Sequence, residues 1–146
     1  MRRPHPRSAA WCAPLLLLLS CAPAPAAGPA SVEQAGVAGR WQPYDNASFR
    51  DLGAVTVTRR ALTFAKGLTI ALAPEGSAFR VIGVSGKASG IADGFCAGVR
   101  PASVALSPVD HPRPRSLRIA FYDVPTGPGP DPGFDLHRCT FFVYVR

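Results

Sequence analysis

The chain has 146 residues, 16 of them proline and 14 glycine, with four cysteines and a formal net charge of +7. Once an N-terminal segment is set aside, that length holds one domain with one core and little more. The arginines are spread along the chain without a nucleic-acid-binding motif, so no nucleic-acid partner is expected. Prolines and glycines concentrate at 22–30 and 125–133, and the stretch between them is apolar enough for a core, which argues against wholesale disorder.

In chain order, "MRRPHPR" is a short positive start and "AAWCAPLLLLL" (9–19) an apolar run. Together they read as an export signal over 1–20, because the run is far shorter than the about 20 apolar residues a membrane span needs. Leu18-Leu19-Ser20-Cys21 resembles the bacterial lipoprotein box, in which a leucine three places before the cysteine and a small residue just before it precede the cut. Leu19 departs from that pattern, where alanine or serine is usual. The resemblance implies a diacylglyceryl group on the Cys21 thiol, hence a membrane partner through a lipid anchor. Ala22 stands where an aspartate would signal inner-membrane retention, which points to an outer-membrane lipoprotein facing the periplasm or the cell surface. A competing cut after Ala26 or Ala27 would instead leave a soluble periplasmic or secreted protein. The Ala/Pro-rich stretch within 21–38 favours lipidation, since alternating Ala and Pro makes an extended, uncharged tether.

From Gly39 to Arg146 a single β domain is expected. Period-two runs appear at 53–58, 61–65, 68–73, 78–84, 103–107, 116–123 and 139–145. Gly67 and the Pro74–Gly76 segment mark tight turns between them. No stretch carries apolar residues at helical spacing, so at most one short helix is expected. The fold class is therefore all-β: a small antiparallel barrel or sandwich of about seven or eight short strands with one disulfide. Gly39-Arg40-Trp41 resembles the Gly-x-Trp that opens lipocalin-type barrels, where the tryptophan closes the barrel floor on the first strand. That resemblance implies, as an alternative function, a carrier of a small apolar ligand.

"HPRPRSLR" (111–118) is the one dense basic run, read as a solvated loop or, alternatively, a patch touching anionic lipid or polyanion. The connection 123–135, rich in proline and glycine, is read as a mobile excursion or a binding loop. The last strand is apolar on both faces: Cys139, Phe141, Val143 and Val145 on one, Thr140, Phe142 and Tyr144 on the other. Such a strand is covered on both sides or meets a partner, which makes Arg138, Phe142 and Tyr144, with Trp41, the candidate binding residues.

Cys12 lies in the signal and Cys21 at the cut, leaving Cys96 and Cys139 as a disulfide pair in an oxidising compartment. His137 beside them makes a metal site the sharper alternative, but no CxxC spacing supports it, and neither metal nor cofactor is expected. Catalytic groups are sparse. His111 or His137 can be combined with Asp110, Asp123 or Asp135, but no serine stands in a nucleophile elbow. "GVSGKASG" (83–90) lacks the spacing of a phosphate loop and reads as a glycine-rich turn. The expected role is a non-catalytic cell-envelope lipoprotein that binds an unknown envelope or host protein. A periplasmic hydrolase is the least favoured alternative. Mass spectrometry of the mature chain should find a diacylglyceryl adduct at Cys21, and Cys21→Ser should move the protein out of the membrane fraction. Unchanged fractionation would refute anchoring through this residue.

Overall fold

The computed structural model describes residues 36–128 and 135–146. The export signal, Cys21 and the tether up to residue 35 lie outside the described residues, as do residues 129–134 of the long connection. Eight strands run antiparallel in chain order and close into a barrel. They are β1 (Gly39–Pro43), β2 (Val55–Val57), β3 (Ala61–Phe64), β4 (Thr69–Glu75), β5 (Ala78–Ser85), β6 (Ser103–Val109), β7 (Ser116–Tyr122) and β8 (Arg138–Val145). Closure has a simple cause: an eight-stranded sheet whose strands alternate apolar-in and polar-out can bury its inward residues against one another, and closing the ladder leaves only short stretches of strand unpaired on one side.

The alternation is visible strand by strand. Val55 and Val57, Leu62 and Phe64, Ile70 and Leu72, and Leu117, Ile119 and Phe121 all point inward and are buried. Two short helical turns occur where at most one was expected: Ser48–Leu52 and Ser89–Gly94. Each is too short to display a helical apolar period. The first is started by Asp45, whose Oδ1 accepts the Ser48 N–H at 2.6 Å. Val37 is buried in the core, so the packed part of the chain begins ahead of Gly39.

The two ends of the barrel differ. The connections 44–54, 65–68, 86–102 and 123–137 gather at one end, called the mouth; the turns 58–60, 76–77 and 110–115 and both ends of the domain gather at the other, the floor. At the floor, Trp41 is buried, its Nε1–H donates to the Val37 carbonyl at 2.8 Å, and the Arg146 guanidinium lies 4.1 Å from the indole centroid. Arg146 also donates to the Ala38 carbonyl. A cation over an indole face is attracted by the ring quadrupole, so the last residue clamps the first strand.

At the mouth, the β5–β6 connection folds inward. Phe95 stacks 4.6 Å from Phe121 and 5.5 Å from Phe142, and Ala92 is buried with them. Cys96, next to Phe95, is bonded to Cys139 at the start of β8, as the cysteine arithmetic anticipated. Among the described residues no helix is long and apolar enough to cross a membrane.

Two stability predictions follow from these contacts. The closed loop spans 43 residues, so Cys96→Ala with Cys139→Ala should cost about 4 kcal/mol in urea unfolding. A Cβ at Gly86 would sit 2.0 Å from the Gly67 carbonyl oxygen, where the end of β5 meets the β3–β4 turn. Gly86→Ala should cost about 2–3 kcal/mol, whereas Gly76→Ala, which meets open space, should cost about 1 kcal/mol.

Candidate functional site at the barrel mouth

The four residues singled out for binding do not come together. Trp41 is at the floor, while Phe142 and Tyr144 point into the barrel opposite Ile119 and Leu117. The reason is register. With both faces of β8 apolar, the sequence pattern leaves its orientation open; pairing with β7 turns Phe142 and Tyr144 inward and Phe141 outward. Phe142 and Tyr144 are thus core residues and offer no side chain to a partner on the outer wall. Arg138 alone stands outside, where it and Arg118 lie 5.7 and 5.4 Å from the centroid of half-exposed Phe141.

Tyr144 carries a further consequence. Its hydroxyl is buried with no hydrogen-bond partner. Burial, helped by the charge of Asp45, pushes that hydroxyl far above the ordinary tyrosine range.

The connection 123–135 behaves differently from a free excursion over its described part. Ser103 Oγ donates to the Val124 carbonyl at 2.6 Å, and Gly127 is buried against Ala78. This stretch lies over the outer wall at Ala105, Ala120 and Tyr122, which form a second small apolar cluster with Val124. A side chain at 127 would collide with the Ala78 Cβ, so the glycine permits the close approach.

What the fold does bring together is a rim of exposed apolar side chains. Tyr44 and Phe49 stand on the β1–β2 connection, Ile91 and Val99 on the β5–β6 connection, and Leu136 on the β7–β8 connection. Phe49 is 69 % exposed and Leu136 93 %. Nothing in the period-two pattern signals these residues, because each sits in a connection where no neighbouring position tests its burial.

Two recesses open beside the rim. One, of about 330 Å³, lies between the two helical turns, with Phe95, Phe142 and Thr140 beneath and Ile91, Ala47 and Asp51 around it. It exists because β1 stops at Pro43 while β8 continues to Arg138, leaving the upper part of β8 without a strand on that side. The other, of about 300 Å³, lies beside Phe49 and is bounded by Pro43, Gly53, Ala54, Ala65 and Lys66.

A third recess, of about 190 Å³, holds the disulfide with Asp123, Leu136, His137 and Arg138. Here His137 Nδ1 lies 3.0 Å from Asp123 Oδ1, so one of the Asp–His pairs weighed from the sequence does form. The residues lining the recess include no hydroxyl, and both cysteines are bonded to each other. The pair has an orienting carboxylate but no nucleophile beside it. The other histidine among the described residues, His111, is at the opposite end, on the floor connection between β6 and β7. The disulfide also withholds the two thiolates that a metal site with His137 would need, and among the described residues no three potential ligands group around a metal position.

The chain matches no protein-family model, no curated protein and no solved structure. The site is therefore read from its own geometry.

Tyr144→Phe removes the orphaned hydroxyl and should raise stability at neutral pH by about 1 kcal/mol. The pH dependence has a definite sign. A tyrosine whose pKa is raised in the folded state stabilises the fold below its unfolded value, and that contribution is lost as pH rises through about 10 and beyond. Urea midpoints from pH 8 to 11 should therefore fall less steeply for Tyr144→Phe than for the unsubstituted chain, with Tyr122, also raised by burial, supplying part of the remaining slope.

Proposed function

We propose that this chain is a non-catalytic binding module of the bacterial cell envelope, exported by residues 1–20 and held to the outer membrane by lipid at Cys21. Its mouth is offered to a protein partner. The observation that carries this reading is the distribution of exposed apolar side chains. Among the described residues Tyr44, Phe49, Ile91, Val99 and Leu136 stand exposed on connections at one end of the barrel, while exposed Ile82 and Phe141 stand on its wall; apolar exposure gathered at one end marks an interaction site. The N-terminal segment enters at the opposite end, where Val37 and Ala38 are held by Trp41 and Arg146. A lipid anchor upstream of this entry point leaves the mouth free to face away from the membrane.

A second reading, a lipocalin-like carrier of a small apolar ligand, is favoured by the recess over Phe95 and Phe142. The barrel interior is filled by its own side chains, from Leu62 and Ile70 across to Ile119 and Tyr144. Cargo would therefore lodge at the mouth. An apolar fluorophore that binds with micromolar affinity and is displaced by Phe142→Ala or Ile91→Asp would favour this reading over a protein partner.

The protein-partner reading is tested in cells. A photoreactive amino acid placed at position 49 or 91 should give a discrete cross-linked protein adduct, and the same group at position 114, in the floor connection between β6 and β7, should give none. Adducts of equal yield from all three positions, or from none, would contradict a binding face at the mouth.

A further inference from the structure

The positive charge of the chain is not spread evenly over the barrel. At the mouth, cations are matched by carboxylates: Arg50 pairs with Asp51 at 2.8 Å and Arg100 with Asp93 at 2.6 Å, Asp45 shares the connection of Arg50, and Asp123 and Asp135 stand on the β7–β8 connection at the same end. Along β4 and β5, Glu75 pairs with Arg80 at 3.0 Å. At the floor the described connections carry more arginine than carboxylate. The β2–β3 turn carries Arg60, the β6–β7 connection carries Arg113 and Arg115, and Arg146 follows β8; all are exposed. In those segments only Asp110 opposes them.

The basic run noticed at 111–118 is thus one part of a larger feature that the topology assembles. The turns holding Arg60 and Arg113–Arg115 are far apart in sequence, yet antiparallel strands deliver both to the same end. The arginines are held outward by local structure. The Arg113 carbonyl accepts a 2.6 Å bond from Ser116 Oγ, which fixes the connection where it re-enters the sheet. Thr58 Oγ1 accepts the Ala61 N–H at 3.1 Å and shapes the other turn.

We infer that this arginine-rich floor rests on the anionic phospholipid headgroups of the membrane to which the chain is tethered. Three features point to that one occupant. Guanidinium groups present planar forks that match phosphate oxygens. A membrane carrying anionic lipid attracts basic side chains at its surface, and the attraction fades within a Debye length. The chain also enters the domain at this end, beside Arg146 and Ala38, so a lipid anchor upstream brings the floor within reach of the bilayer. Tethering raises the effective concentration of the surface, so contacts too weak to hold a free protein suffice to orient a bound one. The inference rests on the membrane anchoring proposed above, and it fixes the orientation that anchoring leaves free.

The test separates docking from anchoring by removing the anchor. The exported full chain carrying Cys21→Ser is mixed with vesicles of phosphatidylcholine alone and with vesicles that also contain phosphatidylglycerol, and sedimented at low and raised salt. The chain should sediment with the anionic vesicles and not with the neutral ones, and salt should release it. Arg60→Glu with Arg113→Glu should weaken this partition by about tenfold or more, whereas Arg50→Glu with Lys87→Glu, the same charge change at the mouth, should weaken it far less. Thermal unfolding shows whether both variants keep their fold. No preference for anionic vesicles overturns the inference, as does equal loss from the floor and mouth variants. Binding to soluble heparin without binding to the anionic vesicles overturns the assignment to lipid. An unmodified Cys21 in the mature protein would remove the anchor while leaving these sedimentation results as they are.

Discussion

The barrel closes between its first and last strands across a narrow seam, with no more regular pairs than the β5–β6 junction. Strand β1 has only five residues, and its pairing with β8 consists of Gln42 with Val145 and Pro43 with Tyr144. A proline in that short ladder supplies no N–H. The seam is completed outside the regular strands. The Tyr44 N–H donates to the Val143 carbonyl at 3.0 Å, and Asp45 Oδ2 accepts the Val143 N–H at 2.9 Å. The same carboxylate starts the helical turn through Ser48. Asp45 therefore joins two tasks, sealing the sheet and bending the chain over the mouth. Below it, Arg146 over Trp41 closes the floor. If this seam opened, β1 and β8 would become edges, and the division of the molecule into mouth and floor would lose its basis.

Closure also explains where the recesses lie. Because β1 is short, the seam covers only the lower part of β8, and the gap above it is filled by the helical turn and by Phe95 from the far side of the mouth. The disulfide pins the Phe95 segment to β8. A small barrel with its interior already occupied has little room for cargo inside it, so what it can offer lies in its connections. These carry apolar tips at one end and exposed arginines at the other. A barrel with two chemically distinct ends can face two different neighbours at once.

Much of the fold was legible in the residues. Val55 and Val57, Leu62 and Phe64, and Ile70 and Leu72 announce half-buried strands, and the glycines of the turns mark where they reverse. The cysteine pair was found by elimination of Cys12 and Cys21. Other features were not legible, for specific reasons. Phe141 and Phe142 are indistinguishable as residue types, and only the partner strand decides which faces out. Pro108 lies within β6, beyond the expected end of that strand, because this half of β6 is paired on one side only. Asp45 and Ser48 sit in a segment without periodicity, and Asp45 bonds to β8, almost a hundred residues away. The apolar rim is invisible before closure, since Phe49, Ile91 and Leu136 become neighbours in kind only when their connections share one end.

The seam is best examined by amide hydrogen exchange on the folded protein. The Tyr44 and Val143 amides, which bond across the seam, should be protected to nearly the level of Ile119 and Phe121 in the centre of the sheet. If Tyr44 and Val143 exchanged at the rate of unprotected chain while β6 and β7 stayed protected, the sheet would be open and the two-ended barrel described above would be wrong.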